Sequence, residues 1–98
     1  MANFIPYRRN ITSNTEVELF EPGRRTSFRG ILISNIHDSN AAVVDLYHKG
    51  QGSTFYVIKN LNIPVGASVM IEECAPPDAS LGVYIQIGSS QSIDVRIN

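Results

Sequence analysis

At 98 residues the chain is a single domain, with no room for a second. Charged residues make up 17%, below the usual quarter, and the net charge is −1, which argues against a nucleic-acid surface because duplex binding needs a basic one. The one cysteine, Cys74, excludes an internal disulfide, and no apolar run approaches the ~20 residues that span a bilayer.

Met1–Ser13 carries Phe4, Ile5, Pro6 and Tyr7, followed by Arg8-Arg9-Asn10. It reads as an N-terminal arm or an edge strand ahead of a β-sandwich domain over residues 14–98. Arg8 and Arg9 interrupt any candidate leader, so synthesis in a cytoplasm is expected. Beyond this segment, short β-branched runs split by Gly, Pro, Asn and Asp take the place of any helical period.

Strands are predicted at Glu16–Phe20, Phe28–Ile36, Ala42–His48, Thr54–Asn60, Ala67–Glu73, Leu81–Ile87 and Ser92–Ile97. Ile31, Leu32 and Ile33 are apolar on both faces, which predicts a central strand. Between the third and fourth strands, Lys49-Gly50-Gln51-Gly52-Ser53 offers two glycines for a hairpin turn. Leu81, Val83, Ile85 and Ile87 alternate onto one face, as do Ile93, Val95 and Ile97. The expected fold class is all-β: one small antiparallel β-sandwich of about seven or eight strands, Ig-like or jelly-roll-like, with an extended N-terminal arm.

Charge is unevenly placed along the chain. Residues 1–29 hold five of the eight cations (Arg8, Arg9, Arg24, Arg25, Arg29) against Glu16, Glu18 and Glu21. Those glutamates are expected to cancel much of the basic field, leaving a rim of salt bridges to a partner. Six arginines against two lysines is the bias found at protein interfaces. Phe4, Tyr7, Arg8 and Arg9 are candidate arm contacts, and Arg24, Arg25 and Arg29 candidate charged rim contacts.

Signals of chemistry are weak. His37-Asp38 falls in a predicted turn, and His48 ends a strand. Cys74 follows Glu72-Glu73, whose charge is expected to raise its pKa. No Cys-x-x-Cys, His-rich spacing or phosphate loop is present, so neither catalysis, metal nor cofactor is expected. Tyr47, Tyr56 and Tyr84 lie on strands and suggest a carbohydrate platform as a further reading.

The order of elements from Leu19 to Ile71 resembles small virion structural proteins of tailed bacteriophages. An apolar strand and Pro22-Gly23 lead into Phe28-Arg29-Gly30-Ile31-Leu32-Ile33-Ser34-Asn35. Ala42-Val43-Val44-Asp45-Leu46-Tyr47, a Gly-rich turn, Phe55-Tyr56-Val57-Ile58-Lys59-Asn60 and Ile63-Pro64-Val65-Gly66-Ala67-Ser68 follow. The resemblance covers about half the chain. It implies a non-enzymatic β-sandwich located in the virion: a capsid decoration (cement) protein, or a neck, tail or baseplate component. Its implied partners are the major capsid protein or neck and tail proteins, and further copies of itself as a homo-oligomer.

Overall fold

The computed structural model describes residues 7–22, 28–77 and 80–98. Eight strands run in chain order: β1 (Tyr7–Ile11), β2 (Val17–Phe20), β3 (Gly30–Asn35), β4 (Ala42–Gly50), β5 (Ser53–Ile63), β6 (Ser68–Glu72), β7 (Gly82–Ile87) and β8 (Ile93–Ile97). They form two four-stranded antiparallel sheets, ordered β1-β8-β3-β6 and β2-β7-β4-β5. Successive strands cross between the facing sheets except for the β4–β5 hairpin, which is jelly-roll connectivity. Short links join β1 to β2 and β5 to β6, so one side of the sandwich is bounded by β1 and β2 and the other by β5 and β6.

Period-2 alternation builds the core. Ile31 and Ile33 from β3, and Val44 and Leu46 from β4, are fully buried, as are Val83 and Ile85 from β7 and Ile93 from β8. The doubly apolar strand β3 is central in its sheet, between β8 and β6, with Ile31 and Ile33 buried inward and Leu32 half-buried on the outer face.

The first strand takes the edge-strand alternative. Residues 7–11 pair with β8 from Tyr7↔Ile97 to Ile11↔Ile93, and Ile11 is buried. Phe4, in the expected arm, lies outside the described residues.

The β4–β5 hairpin corrects one turn expectation. Gly50 is not a turn residue but pairs with Ser53 at the end of the ladder. A Cβ on it would lie 2.0 Å from the Ser80 carbonyl oxygen, so glycine is needed for close backbone approach. The turn itself is made by Gln51 and Gly52, with φ of 51° and 77°, the two positive values of a type I′ turn.

At the opposite end Asn35 is a buried pin. Its Nδ2 donates to the Asn40 and Ile63 carbonyls at 3.0 and 2.9 Å, and its Oδ1 accepts from the His37 N–H at 2.9 Å. One amide thereby ties the end of β3 to the β3–β4 link and to the end of β5, with its hydrogen-bonding capacity largely used.

Candidate protein-docking surface

Antiparallel register lines side chains up in rows running across each sheet, and four rows define the two sides of the molecule. On the outer face of the first sheet the row is Arg8–Arg96–Leu32–Met70; on its inner side it is Arg9–Val95–Ile33–Val69. On the outer face of the second sheet it is Glu18–Tyr84–Tyr47–Tyr56, and on its inner side Phe20–Val83–His48–Phe55.

The β1/β2 ends of these rows are polar or covered. Arg8 and Arg9 are exposed on the edge strand, where an arginine at an inner-side position blunts further strand pairing. Phe20 stacks on Phe28 with ring centroids 5.4 Å apart. Glu18 accepts from the Tyr84 hydroxyl at 2.8 Å, and Glu16 accepts from the Tyr47 hydroxyl and pairs with Lys49 at 2.6 Å. Asn10 donates to Asp94 at 2.9 Å, and Gln86 donates to the Asn14 carbonyl at 2.9 Å.

Glu16 and Glu18 serve tyrosines and a lysine across the sheet. The Lys49 hydrogen bond, followed by that of Tyr47, holds the Glu16 carboxyl below its usual range. Burial, then the bond to Glu18, pushes the Tyr84 phenol up to about 12. Burial and Glu16 push Tyr47 higher still. Tyr47 stands between Tyr84 and Tyr56 with centroids 6.0 and 5.3 Å away. Tyr47 and Tyr84 are only 4% and 9% exposed, so of the three rings only Tyr56 presents a surface.

The β5/β6 ends are apolar and more exposed, although Lys59 Nζ stands 4.6 Å over the centre of the Tyr56 ring. Phe55 is 57% exposed, Tyr56 50% and Met70 42%. Behind them Val57, Ile58, Leu61, Val69 and Ile71 pack on the core yet remain only partly buried, because among the described residues no further strand closes the gap between β5 and β6. Asp45 sits opposite both Lys59 and Asn60 at a bulge, accepting from the Asn60 N–H at 2.8 Å and lying 3.7 Å from Lys59 Nζ.

The residues singled out in the sequence divide as follows. Arg8 and Arg9, with Asn10, Leu32, Ser34, Asp94 and Arg96, line a shallow depression of about 350 Å³ on the first sheet. Tyr7 opens β1 opposite Ile97. Arg29 is exposed beside the first sheet, its N–H donating to Asn98 and its carbonyl accepting from Glu73. Arg24 and Arg25 lie outside the described residues. Tyr56, read from the sequence as part of a carbohydrate platform, is exposed, and Phe55 and Met70 join it as exposed apolar residues that the sequence signals only through the single charge, Lys59, in residues 53–71.

The groups capable of chemistry are used structurally. His48 is buried and donates from Nε2 to the Cys74 carbonyl at 2.7 Å, not to the thiol. The Cys74 thiol donates to the Ile71 carbonyl at 3.4 Å, and burial, not the adjacent glutamates, raises its pKa. His37 Nδ1 accepts from the Ser39 and Asn40 N–H groups, fixing its turn. Among the described residues no three His, Cys, Asp or Glu side chains converge on a metal-sized site. A search against models of known protein families finds no match to this chain, and neither does a search against curated protein sequences.

Proposed function

We propose that this chain is a non-enzymatic virion structural protein of a tailed phage, a capsid decoration (cement) protein that docks onto other virion proteins. A neck, tail or baseplate position is the alternative within the same class. The supporting observation is the asymmetry of the sandwich: one side has polar groups engaged within the chain, while the other exposes the apolar side chains Phe55, Tyr56 and Met70 along its two edge strands. Exposed apolar surface of this kind marks a site of protein contact. Jelly rolls also build viral capsid and lectin domains, a likeness of fold that adds weight by analogy alone. The carbohydrate reading draws less support, since Tyr47 and Tyr84 are covered and their hydroxyls are engaged by Glu16 and Glu18.

The test is rebinding. Purified protein is mixed with tailed-phage particles stripped of their decoration layer, and bound protein is measured by co-sedimentation and located by cryo-electron microscopy. Saturable binding at a repeated position on the particle is expected. Failure to bind capsid, neck or tail refutes the reading.

A further inference from the structure

We propose that the outer face of the first sheet binds an acidic segment of a partner protein, with one carboxylate held across Arg8 and Arg96 and a neighbouring apolar side chain on Leu32 and Met70. The site rests on the docking reading above and gives that partner a chemistry.

Register builds the site. Arg8 of β1 stands directly opposite Arg96 of β8, and both are exposed. Like charges directly opposite on one face, with Cβ atoms ~5 Å apart, destabilise a sheet. Neither Arg8 nor Arg96 forms an ion pair with a described residue, and Asp94, two residues along β8 on the same face, accepts from Asn10 at 2.9 Å. A local rule broken without compensation inside the chain points to function. Two adjacent guanidiniums offer forked donors to a single carboxylate, the geometry of a strong charge-assisted pair.

The rest of the row sets the second feature of the occupant. Leu32, half-buried, lies beside Arg96, and Met70 beyond it on β6 is 42% exposed. Gly30 keeps this end low: a Cβ there would lie 3.1 Å from the Met70 sulfur, so the adaptable thioether rests against the glycine. From the arginine pair to the Leu32–Met70 pair is two strand spacings, ~10 Å, which one short segment covers. The depression of about 350 Å³ lies over Arg8, Arg96 and Leu32.

Charge limits the class of ligand. Exposed Asp94 occupies the row on one side of the arginines, and exposed Glu72 the β6 end of the row on the other. The positive field is confined between them, with Arg9 adding a third charge at the margin of the depression. That suits a lone carboxylate and not the repeated phosphates of a nucleic acid, which need a broad basic surface.

The test is an NMR titration of the isotope-labelled full chain with the blocked peptide acetyl-Leu-Ala-Glu-Ala-Leu-amide and with its glutamine counterpart. Saturable shifts at Arg8, Arg96 and Leu32 are expected with the glutamate peptide. Binding should weaken by on the order of tenfold for the glutamine peptide, and likewise for Arg96→Gln, the loss that follows from removing a charge-assisted pair. Arg8→Gln gives a second disruption should Arg96→Gln not fold, as judged by circular dichroism. Lys59→Gln, which removes a charge from the other sheet, should leave binding unchanged. No saturable binding of the glutamate peptide, equal binding of both peptides, arginine variants that bind like wild type, or tighter binding of a single-stranded DNA oligonucleotide at the same residues would each overturn the proposal. Rebinding to stripped particles separates the two readings. Wild type that takes the peptide but never coats particles overturns only the virion assignment, whereas wild type that coats them but ignores the peptide overturns only this site.

Discussion

The inner-side row of the first sheet starts at Arg9 on β1 and finishes at Val69 on β6; that of the second starts at Phe20, stacked on Phe28, and finishes at the bare ring of Phe55. Both sides of the sandwich face the same problem, since an edge strand exposes inward-pointing side chains at the open seam between sheets. The β1/β2 side meets it with charge, a stacked ring and hydrogen bonds across the sheet. The β5/β6 side leaves aliphatic and aromatic groups half in water. The contrast teaches that the two open sides of one sandwich differ in edge chemistry, not in core chemistry.

The largest expected effect comes from comparing the middle and the end of one row, Val17–Ile85–Leu46–Ile58. Leu46→Ala, at a fully buried position, is expected to cost about 2–5 kcal/mol in urea unfolding. Ile58→Ala at the open end should cost clearly less in the monomer, and equal losses would show that the seam is in fact sealed.

Next comes Asn35→Ala. It leaves the Ile63 carbonyl at the end of β5 without its amide donor, so a loss of about 1–3 kcal/mol is expected. Hydrogen exchange should quicken at the end of β5 and in the β3–β4 link, while β1 and β2 stay protected. Uniform loosening would break the distinction between the two sides.

Alkaline titration probes the other side. Tyr47 and Tyr84 have raised pKa values in the folded state, so the native chain keeps protons that the unfolded chain loses. Their contribution to stability is complete below the ordinary phenol value of 10.0 and falls as pH rises from there through about 12 for Tyr84. Denaturant midpoints should therefore drop across that window, and Tyr84→Phe should flatten the drop. An unchanged slope would detach the tyrosines from the glutamates of this side.

The smallest effect is that of Glu16→Gln. Its carboxylate is partly exposed and screened by solvent, so about 0.5–1 kcal/mol is expected. Because its folded pKa is lowered, the contribution of Glu16 is present above the ordinary carboxyl range and lost as pH falls through the depressed value. The variant's deficit should thus shrink in acid.

Much of the fold was legible because alternation is local. All seven expected strands exist within a few residues of their predicted bounds, and β3 is central as its doubly apolar sequence demands. The short strand β1 was left open between arm and edge, since only pairing with β8, more than eighty residues away, decides it. The candidate surface was less legible. Arginines drew attention as interface-type residues, while the low charge of residues 53–71 resembled any buried strand pair.

By itself the sequence determined where strands run and which side chains turn inward, because a period of two is set by each residue's own backbone geometry. It also determined the lack of a disulfide and of any diagnostic catalytic spacing. Only the tertiary structure decided which strands sit at the edges, that Glu16 and Glu18 hold tyrosines, that Gly50 yields room to Ser80, and that His48 binds the Cys74 carbonyl. Those outcomes depend on register between strands distant in sequence, and each follows from the summed packing of whole sheets rather than from any local pattern.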